Sequence, residues 1–364
     1  LLKSRHFDDA APQQCLDMRL LYDSWRLGPG SSNGISGTHF ADKIVQDWTC
    51  TRRALPFVRQ LRRLVPRLRL YDELNGSGIT VIEGSRVITV PKNEDTDRTI
   101  AIEPIGNMAL QLAAGVYIES ALSHLGLHLA TQQFVNRELT KVGSSCGKYA
   151  TLDLKSASDL ITPDLIRLLW PPEWFELLSV LRSSNCQLEG SNDWTVLFMM
   201  STMGNGFTFP MMTMTLLALV YAALRSVDKS CKRNKIPSGV GVFGDDIICP
   251  TLHVEVVLEV LGGAGLSVNF DKSHYKKDDL FRESCGLDMY NGYDVTPFYV
   301  KSLANNAEIY VAINQLLAWS ARHDFKPWRS FGVLLAGLER PPFPRAYRRR
   351  LHQWYSLPNR PFTL

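Results

Sequence analysis

The sequence predicts an α+β fold in which antiparallel strands are flanked by helices, and three features of the chain predict it. Short alternating runs such as Ile79-Thr80-Val81-Ile82 and Arg86-Val87-Ile88-Thr89-Val90 read as half-buried strands. The apolar run Met211 to Leu224, "MMTMTLLALVYAAL", is too long for a strand and begins just after Pro210, so it reads as a buried helix. The stretch Gly239 to Cys249 sets two apolar runs around a Gly-Asp-Asp tip and reads as a hairpin.

Bulk properties narrow the class. With 364 residues, 45% hydrophobic and 21% charged, the chain has ordinary globular composition and room for a large domain with subdomains. A net charge of +4 leans only weakly toward polyanionic partners, so local clustering matters more than the total. Seven cysteines without a C-x-x-C pair speak against a disulfide framework or a zinc site, and fit a reducing cytosol. Met211 to Leu224 is short for a bilayer span, so no membrane is expected. The start, Leu1-Leu2-Lys3-Ser4-Arg5, has neither an initiator Met nor a signal core, which suggests a processed chain or a fragment.

The elements follow in order. Gly28 to Gly34 is a loop by composition and lacks the Gly-Lys-Ser/Thr ending of a phosphate cradle. A helical pattern runs from Arg52 to Leu70, with Leu55, Val58, Leu61, Val65 and Leu68 on one face. Arg52, Arg53, Arg59, Arg62, Arg63, Arg67 and Arg69 crowd the remainder, with no acid before Asp72. They form either a solvated face or a surface that follows phosphates. After the two strands comes "PKNEDTDRTIAIEP", Pro91 to Pro104, then a helix over Met108 to Leu129. His124 and His128 lie four apart there, but no Glu follows the first as in a zincin, so they read as a core or surface pair.

A polar loop is expected around Gly143-Ser144-Ser145, then a strand from Tyr149 to Leu154. Thr162 and Pro163 start a helix that runs through Trp170. Beyond the central helix and hairpin, Val254 to Leu261 is helical and ends at Gly262-Gly263. A short strand near Leu266 to Asn269 and a run Phe281 to Gly286 follow, and then helical patterns. The tail, Arg340 to Phe362, is basic, aromatic and broken by prolines, which suits either RNA stacking contacts or an amphipathic packing helix.

Two acidic clusters carry the chemistry. Asp153-Leu154-Lys155-Ser156-Ala157-Ser158-Asp159 leaves one predicted strand, and Asp245-Asp246 caps the hairpin. Each alone reads as a helix start or a turn. Together they supply the hard oxygen ligands that Mg²⁺ prefers. Two ions roughly 3.5–4 Å apart could clamp the attacking and leaving oxygens of an in-line displacement. A bound cation also relieves the repulsion between adjacent carboxylates.

At these residues a family resemblance emerges. "LDLKSASD", "STMGNGFTFP", "FGDDIICP" and "FRESCG" resemble motifs A, B, C and E of the RNA-directed RNA polymerases of RNA bacteriophages, the leviviruses. "VPKNEDTDRTIAIEP" is similar to their basic fingers motif and "VNFDKSHY" to motif D, in the same order, over about Val90 to Val300. The resemblance implies a right-handed polymerase: fingers at residues 1–148, N-terminally incomplete, palm at 149–300 and thumb at 301–364. It implies that Asp153, Asp245 and Asp246 hold two Mg²⁺ ions, with Mn²⁺ as a substitute. Asp159 then faces the ribose 2′-hydroxyl of the incoming nucleotide. Gly204 and Gly206 let backbone approach the nascent base pair, and Asn205 contacts ribose or template. Thr208 completes that motif, Lys92 and Arg98 neutralise the triphosphate, and Lys272 gives a proton or charge to departing pyrophosphate. Met212 stands where many viral polymerases carry Asn, so a ribose contact falls to Asn205 or is absent; Phe243 replaces the common Tyr.

The implied reaction is template-directed addition of nucleoside triphosphates to an RNA 3′-hydroxyl, replicating a positive-strand phage genome in the cytoplasm of a bacterial host. The implied partners are template and product RNA, with host translation elongation factors and a ribosomal protein by kinship alone. Members of the family are longer than this chain, so parts of the fingers and thumb are expected to lie outside it. A reverse transcriptase would carry a bulky residue rather than Asp159. A non-catalytic RNA-binding relative would bind RNA unchanged after Asp245→Ala. A two-metal nuclease leaves the basic and glycine-rich motifs without a use.

Overall fold

A computed structural model describes residues 16–76, 78–92, 96–231, 235–300 and 302–337. The elements begin with α1 (Met18–Asp23), α2 (Phe40–Ile44), β1 (Trp48–Thr51), α3 (Leu55–Leu64), α4 (Pro66–Asn75), β2 (Ile79–Ile82), β3 (Ser85–Pro91) and β4 (Asp97–Ile102). Next come α5 (Ile105–His124), α6 (Leu129–Cys146), β5 (Tyr149–Leu152), β6 (Leu154–Lys155), α7 (Ala157–Leu160), α8 (Pro163–Leu169), α9 (Pro172–Leu181), β7 (Asn185–Leu188) and β8 (Trp194–Val196). The last are α10 (Thr208–Val227), β9 (Gly241–Phe243), β10 (Asp246–Pro250), α11 (Val254–Gly263), β11 (Ser267–Val268), β12 (Phe281–Ser284), β13 (Leu287–Tyr290), β14 (Tyr293–Asp294), α12 (Asn306–Arg322) and α13 (Trp328–Ala336).

The mixed α+β class expected from the sequence is the one found. The expected hairpin is β9–β10, and with β5 it forms an antiparallel sheet in the order β5-β10-β9. Ile247 lies opposite Leu152 on one side and Val242 on the other. A second sheet, β4-β3-β7-β8, contains an antiparallel β3–β4 hairpin and a parallel β3–β7 pair. β1 and β2 also run parallel. The chain forms two compact units, one through Gly292 and one from Tyr293.

In the first unit a single hydrophobic core gathers residues from Leu21 to Leu266, so the spans expected as fingers and palm share it. α10 is its axis: nearly every side chain from Thr208 to Leu224 is buried. This helix is longer than the sequence suggested, and by length and composition it could cross a membrane. Its burial on almost all sides is that of a core helix. In the second unit, Asn305 caps α12 by accepting the Glu308 N–H at 3.0 Å, and Ile309, Ile313, Leu316 and Phe331 pack together. The tail Arg340 to Phe362 lies outside the described residues.

Five local expectations are corrected. The pattern from Arg52 to Leu70 is two helices, because Pro66 forces Val65 into an extended conformation (ψ 111°) and restarts the helix at its own first position. Arg62 does not face solvent: it is 1% exposed, is paired with Asp72 at 2.6 Å, and lies over the rings of Trp48 and Tyr71. The helix expected to reach Leu129 stops at His124, so His124 and His128 lie on different elements, the latter at the start of α6. The polar loop at Gly143-Ser144-Ser145 is instead the last full turn of α6. Those small residues allow close approach to β5, since a Cβ on Gly143 would stand 2.7 Å from the Tyr149 carbonyl oxygen. The helix opened by Thr162, whose Oγ1 accepts from the Leu165 N–H at 3.2 Å, ends at Leu169 with Trp170 as its cap.

Candidate active site

The strand expected from Tyr149 to Leu154 breaks at Asp153, and the break is informative. Leu152 pairs with Ile247 in the central sheet, whereas Leu154 pairs with Val268 of β11. Asp153 therefore occupies the point where the backbone leaves one sheet for another. Because Leu152 lies opposite Ile247, one further step along the antiparallel ladder brings Asp153 level with Asp246. The Asn269 Nδ2 donates to Asp153 Oδ2 at 2.8 Å, the Asn269 N–H donates to the Asp153 carbonyl at 2.9 Å, and the Asp153 N–H donates to Ser273 Oγ at 3.1 Å. One carboxylate oxygen of Asp153 is thus fixed by motif-D residues while Oδ1 stays free of that bond.

The hairpin tip is seated on α10. Gly244 adopts φ +62°, and its N–H donates to Thr213 Oγ1 at 3.0 Å. A Cβ there would meet the Phe209 ring at 2.6 Å, which makes glycine necessary on two counts. Phe209 and Phe243 pack edge to face at 4.8 Å, so Phe243 keeps a packing role without a hydroxyl. Asp245 is exposed, whereas Asp246 is half-buried. Asp246 Oδ1 accepts from Ser284 Oγ at 3.1 Å and from the Cys285 N–H at 3.2 Å. Arg137 of α6 in turn holds the Cys285 carbonyl through Nε at 3.1 Å and Nη2 at 2.9 Å.

The electrostatics match a site built for positive charge. Desolvation pushes the Asp245 carboxyl up, and the Asp153 carboxylate adds to it, while Arg98 and Lys92 pull it down. Asp246 is raised by burial first and by Asp245 as well, against hydrogen bonds from Cys285 and Ser284. Glu283, on β12, is also raised, by burial and then by Asp288, with Asp153 and Asp246 contributing and Lys272 opposing. The structure therefore brings Asp153, Asp245, Asp246, Lys92 and Arg98 into one field, and places Lys272 beside it through Glu283. Lys92 and Arg98 are exposed at the connected end of the β3–β4 hairpin, where Val90 pairs with Arg98 and the Lys92 N–H bonds the Thr96 carbonyl.

Asp159 is exposed on α7, accepting from Ser158 Oγ at 3.2 Å. The glycine-rich segment is tightly held. Gly204 has φ +108°, and a Cβ on it would lie 2.1 Å from the Ala101 carbonyl oxygen of β4. Asn205 is buried, with its Oδ1 accepting from the Phe207 N–H at 3.0 Å, so its Nδ2 is the atom left for a ligand. Thr208 is also buried and donates to the Thr202 carbonyl at 2.7 Å. The supporting residues Arg137, Asn269, Ser284 and Glu283 were not singled out from sequence, although three of them fall inside quoted motifs.

Could these residues hold metal? Among the described residues no group of three or more His, Cys, Asp and Glu side chains is gathered to hold an ion alone. The donor set nonetheless fits Mg²⁺, which binds through one or two carboxylates and takes waters and substrate phosphates for the rest. Asp153 and Asp245 are such a pair, since the Asp153 carboxylate raises the cost of ionising Asp245.

Comparison with known proteins identifies the family. The family model for the RNA replicase beta chain matches residues 23–355. The RNA-directed RNA polymerase subunit beta of Qbeta virus (strain MX1) is 37% identical over 296 residues, covering 80% of this chain and 47% of that protein. The RNA-directed RNA polymerase beta chain of Escherichia phage MS2 is 37% identical over 280 residues, covering 76% and 49%. A looser likeness, with 12% identity and a TM-score of 0.42 over 72% of this chain and 26% of the other, runs to the in situ structure of the BmCPV RNA-dependent RNA polymerase at elongation state. The chain spans about half the length of the curated relatives it matches. Across most of its length, and with its acidic tip, glycine-rich loop and basic hairpin in place, the chain belongs to the RNA replicase beta-chain family of the RNA phages.

Proposed function

We propose that this chain carries the catalytic centre of an RNA-directed RNA polymerase that extends an RNA 3′-hydroxyl with nucleoside triphosphates on an RNA template. The observation that carries the reading is that Asp153, between β5 and β6, and Asp245, in the β9–β10 turn, lie at the same end of paired strands, with Asp153, Lys92 and Arg98 all acting electrostatically on Asp245. Asp153 and Asp245 would hold the divalent ions, Mg²⁺ or Mn²⁺, with Asp246 beside them. When bound, such ions acidify the attacking hydroxyl and neutralise charge around the α-phosphorus.

The chain's own residues do the positioning. Lys92 and Arg98 approach the triphosphate from the β3–β4 hairpin and offset its charge where Asp245 would repel it. Asp159 offers a carboxylate to the ribose 2′-hydroxyl, and Asn205 Nδ2 offers a donor to sugar or template. Lys272, whose charge acts on Glu283, would neutralise departing pyrophosphate. Residues 1–148, 149–300 and 301–364 then act as fingers, palm and thumb. Host elongation factors and a ribosomal protein join by kinship, in the bacterial cytoplasm.

The test is primer extension by the purified chain on an RNA template with Mg²⁺ and labelled ribonucleotides, with and without host lysate. Template-dependent product is expected, lost at least about 10³-fold in Asp245→Ala, while RNA binding persists. Asp159→Ala should narrow the preference for ribonucleotides over deoxyribonucleotides. Product unaffected by Asp245→Ala, or none under any condition, would sink the proposal.

A further inference from the structure

Two parts of the site come from distant sequence: the strand that carries Arg98 and the loop from Met203 to Gly206. They are laced together directly. The Ala101 N–H of β4 donates to the Met203 carbonyl at 2.7 Å, and Gly204 sits against the Ala101 carbonyl so closely that no side chain fits. Behind this contact lies a polar cluster inside the core, where unpaired groups would be costly. Gln111 of α5 is 0% exposed and uses its whole amide. Its Oε1 accepts from the Gly206 N–H at 3.2 Å, and its Nε2 donates to Glu103 Oε2 at 3.1 Å and to the Leu181 carbonyl at 2.9 Å.

The orientation of that amide is dictated by its partners, because Gly206 offers a donor and Leu181 an acceptor. Glu103, 1% exposed at the end of β4, also accepts from Ser183 Oγ at 2.6 Å. The fit between loop and helix leaves no slack elsewhere. A Cβ on Gly206 would stand 2.7 Å from the Leu112 N, and one on Gly115 would stand 2.9 Å from the Gly206 carbonyl oxygen.

We propose that Gln111, braced by Glu103 and Ser183, is a positioning residue that locks the glycine loop to the Arg98 strand, so that sugar-side and phosphate-side contacts to the incoming nucleotide move as one piece. This rests on the polymerase reading for its consequence, but the lock itself is a property of the fold. A purely apolar residue at this position would fill the space and leave the Gly206 N–H and the Leu181 carbonyl without their Gln111 partner. The loop would then be free to shift against β4 while the carboxylate tip on α10 stayed in place.

The test uses the full chain and two readouts. Hydrogen exchange is followed over residues 201–208 and, as an internal reference, over β5 and β10. Gln111→Met is expected to speed exchange in 201–208 by about tenfold, the scale of one lost buried hydrogen bond, with the reference strands unchanged. If Gln111→Met does not fold, Ser183→Ala removes the brace from the far side and is expected to give a smaller rise in the same segment. Unchanged exchange in 201–208 in a folded Gln111→Met or Ser183→Ala chain overturns the lock. In extension assays, Gln111→Met should raise the ribonucleotide KM by about tenfold with kcat altered far less. An unchanged KM in an active enzyme overturns the role in nucleotide binding. A wild-type chain that makes no product counts against the polymerase reading, and the exchange data still decide the lock.

Discussion

Replacing Glu103 with Gln should change how the stability of this protein depends on pH, and the size of the change follows from the structure. Glu103 is buried, and desolvation pushes its carboxyl up from 4.5 to about 7, although Ser183, Gln111 and Arg182 all favour the ionised form. Folding thus raises its affinity for a proton. The stability this contributes is complete below the unfolded value of 4.5 and is lost as pH rises through about 7. At 1.36 kcal/mol per pH unit, the interval sets a loss of about 3 kcal/mol by pH 8. Gln cannot ionise, and its carbonyl can still accept from Ser183 and Gln111. Urea unfolding of both proteins between pH 4 and pH 8 isolates the effect, because Asp245, Asp246 and Glu283 titrate in both and cancel in the difference. Glu103→Gln should gain on the wild type by about 3 kcal/mol across that range. A difference that stays flat, or that moves the other way, would show that Glu103 is not protonated preferentially by the fold, and the desolvation argument would fail.

Three further outcomes are expected. Arg62→Ala strips the partner from Asp72 and empties the space over Trp48, and should destabilise the first unit by about 3–5 kcal/mol in denaturant titrations; an effect under about 1 kcal/mol would mean that the pair behaves as a surface one. Gly204→Ala forces a Cβ against the Ala101 carbonyl at a left-handed backbone, so the melting temperature should fall and ribonucleotide incorporation should drop even where the protein remains folded. Ser284→Ala removes one of two donors to Asp246 Oδ1, so the Mg²⁺ concentration for half-maximal extension should rise about tenfold while maximal activity is largely retained.

Much of the fold was legible because its signals are local. Thr162 with Pro163 marked a helix start, and the period of two at Ile79–Ile82 and around Val87 marked strands. The hairpin and the long apolar helix were equally plain. What misled were residues whose composition suits two structures. Gly143, Ser144 and Ser145 look like a loop, but a helix that must touch β5 closely uses the same small side chains. Seven arginines look like one solvated surface until Asp72 is seen to reach back for Arg62, a pairing that depends on the turn at Pro66.

The candidate site divides in the same way. The carboxylates, the two glycines and the basic pair on the β3–β4 hairpin could be named because motif order preserves them. Asn269, Ser284 and Arg137 could not, since their role depends on which atom meets which across elements far apart in the chain. Gln111 left a faint trace: it lies four places after Asn107 in the otherwise apolar first half of its helix, where an uncompensated amide would be costly.

The seating of the acidic tip on α10 has a consequence for inheritance. Thr213 and Phe209 hold the turn at Gly244, while the same helix emerges directly from the glycine-rich segment. The acidic tip and the glycine-rich segment therefore share a single mount whose rigidity comes from buried methionines and leucines. Heat-sensitive replicases selected at random should carry many of their lesions in this concealed stretch. Second-site revertants of such lesions would then be sought among its packing neighbours on α5 and α11, far from the chemistry they rescue.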